Sequence, residues 1–116
     1  MTLPSTNDLA ARTTSVLAAL GAPPPSGAFE ARTPITGGTL GPASDAADVH
    51  AAVDRAVVAF AEWRVTPAPV RGNLVRRLGE LLREHKAELG ELVSIEAGKI
   101  RSEGLGEALR AVERRS

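Results

Sequence analysis

The side chains able to do chemistry in this chain are two histidines, a scattering of serines, one dense arginine stretch and a few carboxylates near the C-terminus. Nucleophilic catalysis needs an activated cysteine, serine or lysine with a base in reach, and the chain has Cys 0. No serine sits in a Gly-x-Ser-x-Gly elbow; Ser94 falls in the middle of a predicted helix, where its hydroxyl bonds back to the preceding turn. His50 and His85 lie far apart, with no second metal ligand at usable spacing, and read as solvated helix residues. Arg71, Arg76, Arg77 and Arg83 could hold a phosphate. They alternate with Glu80, Glu84 and Glu88 at helical distances, however, which favours ion pairs along one wet helix face. Gly37, Gly38 and Gly41 lack both a P-loop lysine motif and a Gly-x-Gly-x-x-Gly pattern, so a structural turn is the better reading. Glu107 reads from position alone as a carboxylate near a helix start, favoured by the dipole.

The elements that would position these groups follow from periodicity and punctuation. Thr6 or Asn7 caps a first helix, with Asp8 in its first turn. Leu9, Thr13, Val16, Leu17 and Leu20 share one face, and Gly21 followed by Pro23-Pro24-Pro25 ends it. Between Gly27 and Pro42 two short strands are predicted, joined by a turn at Gly37-Gly38. Ser44 or Asp45 starts a second helix with the stripe Val49, Ala52, Val53, Ala56, Val57 and Phe60, ending near Trp63. Pro67 and Pro69 break the chain, and this corner is expected to fold a third helix back over Trp63 and bury it. In that helix Leu74, Leu78, Leu81 and Leu82 should face inward. A fourth helix begins near Lys86 and places Leu89, Leu92, Val93 and Ile95 in the core, with Gly98 as its stop. Ser102 caps a last helix carrying Leu105, Ala108, Leu109 and Val112.

The expected fold class is therefore mostly α with a small N-terminal β-hairpin. Residues 1–26 form a helix with a proline-rich linker, and residues 27–116 form the hairpin and four helices. At 116 residues the chain is one domain's length or less. Its aromatics are only Trp63, Phe29 and Phe60, and much of its apolar content is alanine, whose burial contributes little. With no disulfide to compensate, marginal stability is expected. Lys+Arg 14 against Asp+Glu 14 leaves no basic excess for a nucleic-acid partner. No apolar run approaches the roughly 18 residues of a membrane span, no secretory signal is visible, and the lack of cysteine fits a reducing compartment. A cytoplasmic location is the expectation.

Several strings in this sequence then line up in one order. They are Pro34-Ile35-Thr36-Gly37, Phe60-Ala61-Glu62-Trp63-Arg64, and Pro67-Ala68-Pro69-Val70-Arg71-Gly72. After these come Glu88-Leu89-Gly90-Glu91-Leu92-Val93-Ser94-Ile95-Glu96-Ala97-Gly98-Lys99-Ile100 and Ser102-Glu103-Gly104-Leu105-Gly106-Glu107. In that order they resemble the opening region of the NAD(P)-dependent aldehyde dehydrogenases, most closely the antiquitin-like branch that oxidises aminoadipic semialdehyde. The resemblance covers Ala28 to Glu107. Beyond Glu107 the family pattern fades into an arginine-rich end.

That resemblance implies a truncated N-terminal part of the α/β aldehyde dehydrogenase fold. In the complete family a thiolate attacks the aldehyde, hydride passes to NAD or NADP, and a glutamate base activates water for deacylation. The cysteine nucleophile, the glutamate base and the dinucleotide fold all lie beyond Ser116 in the family's order. The expectation is thus no catalytic residue, no metal and no cofactor bound by this chain alone. The Glu96–Lys99 segment is a packing and helix-ending element in relatives. Glu107 matches the glutamate that borders the semialdehyde branch's substrate tunnel, and there it could meet the substrate's amino group. Expected partners are an aldehyde dehydrogenase subunit, or a second copy through exposed helix faces. A frameshift or a cut fragment would each account for the ending. The alternatives to a truncated oxidoreductase are a non-catalytic helical interaction module and a nonfunctional gene remnant.

Overall fold

The computed structural model describes residues 2–44 and 48–113, with side chains as far as Arg110. Helix α1, Thr6–Ala19, is capped by Ser5 rather than by the expected Thr6 or Asn7. The Ser5 hydroxyl accepts from the Asp8 N–H at 3.2 Å, and the Asp8 carboxylate accepts from the Ser5 N–H at 3.0 Å. Two orphan donors are satisfied reciprocally, while the Thr6 hydroxyl is engaged with that of Thr36 at 2.7 Å. At the other end Gly21 takes φ 68°, the Gly21 N–H donates to Ala18 and the Ala22 N–H donates to Leu17. That pair of bonds closes the last turn.

Hydrogen bonds from the Ser5 side chain and backbone hold the Asp8 carboxyl below its usual range. A depressed folded-state pKa contributes stability that is present above the unfolded value of about 3.9 and lost as pH falls through the folded one. Protection of the first-turn amides of α1, taken relative to their intrinsic exchange rates, should therefore fall as pH drops below that range. Asp8→Asn should remove this pH dependence, and an unchanged profile in the variant would refute the assignment.

Strands β1, Phe29–Arg32, and β2, Thr39–Ala43, form the predicted antiparallel hairpin. Phe29 pairs with Ala43 and Ala31 with Gly41, and the register shifts between Ala31 and Arg32. Gly37 in the connecting turn has φ 72°. A Cβ on Gly38 would overlap the Thr6 side chain, so this glycine lets the turn lie against α1.

Helix α2, Val49–Trp63, begins later than predicted because the Asp48 carboxylate accepts from the N–H groups of His50 and Ala51 at 3.0 and 3.3 Å. Ser44 belongs to no helix, and Asp45 lies outside the described residues. Helix α3, Ala68–Glu84, starts after Pro67 with Pro69 in its first turn. His85 separates it from α4, Lys86–Ala97, which Gly98 ends at φ 68° as predicted. Helix α5, Arg101–Glu113, opens one residue before the expected cap. The Ile100 carbonyl accepts from the Glu103 and Gly104 N–H groups, so Ser102 is inside the first turn instead. Val112 lies where side chains are not described.

Packing is concentrated between α4 and α5, with α1 laid across β2 and α4 and with α3 against α5 and α4. Among the described residues Leu9, Val16, Ile95 and Ala108 are the buried apolar ones. Ile95 fulfils its predicted core role, while Leu89, Leu92 and Val93 are half-buried. The radius of gyration is 17.2 Å, against about 13 Å for a compact domain of this length. The excess length has a definite origin. Among the described residues α2 has no extended packing against another element, and Val49, Val53, Val57 and Phe60 on its stripe are exposed. Leu74, Leu78 and Leu81 of α3 are exposed as well, contrary to the inward placement expected of them, and only Leu82 is half-buried.

Trp63 is 39% exposed, so the proline corner does not bury it. Its ring instead lies 6.0 Å from the Arg71 guanidinium, a cation–π contact of about 0.5–1 kcal/mol at an exposed site. An amphipathic stripe reports that a face seeks cover; it does not say which element provides it. Trp63 should accordingly emit toward the red and be quenched by iodide. A blue-shifted, quencher-resistant emission would show that α2 is covered in solution.

Candidate functional site

The only sequence-derived candidate for substrate contact, Glu107, stands on α5 facing the α4–α5 corner. Gly98 reverses the chain at that corner, which brings Lys99 back over the second turn of α5. Lys99 Nζ donates to Glu107 Oε1 at 2.8 Å and the Arg110 guanidinium donates to the same oxygen at 3.1 Å. The Lys99 and Glu107 side chains are each 38% exposed. At that exposure each ion pair contributes at most about 1 kcal/mol. Glu107 lies beyond the first turn of α5, where Glu103 is the acidic residue. The dipole reading of Glu107 is therefore corrected: its charge is met by two cations, because the helix-end field fades within one turn. An ammonium group approaching Glu107 would have to share a carboxylate already held by Lys99 and Arg110.

The other candidates are not brought to this corner. Ser94 donates to the Gly90 carbonyl at 3.0 Å, the back-bond expected of a mid-helix serine. His50 is exposed on the first turn of α2, and His85 occupies the α3–α4 junction. Arg76 and Arg77 both pair with Glu80 on the surface of α3, as the sequence suggested, whereas Glu88 is half-buried on α4 and, among the described residues, its buried Oε2 has no hydrogen-bond partner. Among the described residues no group of three His, Cys, Asp or Glu could hold a metal ion. No described helix is long and apolar enough to cross a membrane.

Two contacts that order this region had no signal in the sequence. Thr33, 1% exposed, donates its hydroxyl to the Ile95 carbonyl at 2.6 Å and accepts from the Ile35 N–H at 3.3 Å. It ties the hairpin to the last turn of α4, where carbonyls run out of intrahelical partners. Arg12 of α1 pairs with Glu91 of α4 at 2.6 Å. Each joins residues far apart in the chain, so no local pattern announces either one.

Comparison with known proteins bears on what this corner belongs to. The aldehyde dehydrogenase family profile matches residues 23–115. The chain is 50% identical over 66 residues to the alpha-ketoglutarate semialdehyde dehydrogenase of Haloferax volcanii, a stretch covering 57% of this chain and 14% of that protein. It is 46% identical over 67 residues to the alpha-aminoadipic semialdehyde dehydrogenase of Bos taurus, 58% of this chain and 12% of the relative. With malonate-semialdehyde dehydrogenase 2 of Geobacillus thermodenitrificans it shares 42% identity over 82 residues, 69% of this chain and 17% of the relative. The matched stretches thus span between about one eighth and one sixth of these relatives' lengths. The antiquitin-like branch is among these relatives. The chain belongs to the aldehyde dehydrogenase family.

Proposed function

We propose that this polypeptide supplies the helical N-terminal portion of a semialdehyde-oxidising aldehyde dehydrogenase and carries none of the reacting groups itself. The observation that supports this reading is the match over residues 23–115 in a chain with Cys 0. In the family the thiolate attacks the aldehyde carbon, and a glutamate base later activates the water that releases the carboxylate product. Those groups, with NAD or NADP, belong to sequence that follows this region in relatives. The strands described here form a two-stranded antiparallel hairpin; a dinucleotide fold is built from parallel β-α-β units. The described residues therefore do not fit the cofactor.

Within this reading Glu107 is the residue that would face an amino-bearing semialdehyde, oriented by Lys99 and Arg110. The exposed faces of α2 and α3 are surfaces for a dehydrogenase polypeptide or for a second copy, and the setting is cytoplasmic. In this reading residues 1–26 are an N-terminal helix with a proline-rich linker, and residues 27–116 are the partial N-terminal region of the family. The expected result is that purified chain reduces neither NAD nor NADP with aminoadipic semialdehyde or any other aldehyde. Reproducible turnover above a buffer blank, lost when the chain is depleted, would sink the proposal. A purely non-catalytic interaction module is the second reading, and the uncovered stripe of α2 favours it. Co-expression separates the two. A module should copurify with a dehydrogenase subunit without altering its turnover, whereas an N-terminal portion should restore turnover to a subunit lacking this region.

A further inference from the structure

A groove of about 830 Å³ runs between α1, the hairpin and α4, within the roughly 300–1,000 Å³ typical of small-molecule sites. Leu17 and Ala18 from α1, Leu40 and Pro42 from β2, and Leu92 and Val93 from α4 give it apolar walls. Thr13 and Thr14 also border it, but their hydroxyls are committed to the Leu9 and Ala10 carbonyls at 2.9 and 3.1 Å.

Among the described residues Glu96, exposed near the end of α4, is the one charged residue on the lining. It has no hydrogen bond or ion pair among them, and the cations one residue before Thr13 and two residues after Ala97 are engaged elsewhere. Arg12 is held by Glu91 and Lys99 by Glu107. An apolar trough bordered by one unpaired carboxylate is complementary to a molecule with a hydrocarbon tail and a cationic head. We propose that this groove binds aliphatic primary ammonium compounds, with the alkyl chain between α1 and α4 and the ammonium on Glu96. The tail gains from removal of its methylenes from water, and the carboxylate selects the sign of the head group. This goes beyond the aldehyde dehydrogenase reading, which assigns the groove nothing.

The test is a titration of the full chain with octylammonium chloride, octanol and octanoate, followed by amide shifts in nuclear magnetic resonance spectra. Saturable shifts are expected along α1 and α4. Octylammonium should bind about fivefold more tightly than octanol, the scale of one partly exposed ion pair, and octanoate should bind most weakly. Glu96→Gln should reduce octylammonium to the affinity of octanol while leaving octanol unchanged, which also shows that the groove is intact. Ala18→Trp should fill the groove and abolish saturable binding of all three. Equal affinities for the three probes in the unmodified chain would overturn the proposal. So would an ammonium preference that survives Glu96→Gln, shifts confined to the exposed face of α2, or no saturable shift at all.

Discussion

Gly104→Ala is expected to unfold the α4–α5 pair well before the unmodified chain melts. A Cβ at Gly104 would overlap the backbone carbonyl oxygen of Gly90 and the Ser94 hydroxyl, and a Cβ at Gly90 would press on the backbone of Leu105. The two helices cross at van der Waals contact of backbone with backbone, and a backbone carbonyl cannot rotate aside as a side chain can. Overpacking of this kind costs about 1–3 kcal/mol and occasionally more. Alanine recovers only about 1 kcal/mol of helix propensity over glycine. The net loss falls on the most extensive helix contact in the molecule, in a chain whose buried apolar residues are few. Gly106→Ala is the internal control. Nothing lies within 4 Å of a Cβ there, so the same propensity gain should appear unopposed and stabilise α5 by up to about 1 kcal/mol. Urea denaturation followed by circular dichroism would compare the two variants. If they shift the midpoint equally, the close crossing does not exist in solution.

Thr33→Val should be nearly as damaging, although it conserves shape. The hydroxyl is buried and bonded to the Ile95 carbonyl, so the substitution leaves a buried acceptor without its donor. That costs about 1–3 kcal/mol, and it severs the hairpin from α4 at the same time. Thr33→Ser keeps the donor and loses one methyl, and should fall between valine and the unmodified chain. Protection of the hairpin amides from exchange would report the detachment directly. A valine variant within about 0.5 kcal/mol of the parent, the ordinary range for a surface change, would mean that the clasp contributes nothing.

The features that the sequence determined by itself are those governed by neighbours in the chain. Gly21 and Gly98 stop their helices because only a residue without a Cβ enters the left-handed region cheaply. The hairpin follows from the glycines between two short strand-forming runs, and the family follows from strings whose order survives in one dimension. Helix starts have local causes as well: Ser5 rather than Thr6 or Asn7 caps α1, and Asp48 caps α2, because their side chains reach free N–H groups.

Tertiary structure alone decided which faces meet. The stripes of α2 and α3 have the same periodicity as buried ones, yet Val53 and Leu74 remain in water because no described element lies over them. Trp63 is apolar enough to seek a core, but its burial depends on where α3 goes after the proline corner, and no residue type encodes that. Gly90 and Gly104 become a helix crossing, Thr33 a clasp on Ile95, and Lys99 a partner of Glu107 only once α4, α5 and the hairpin have closed on one another. Periodicity records how much a face gains by leaving water. The partner that removes it from water is set by chain closure over long separations.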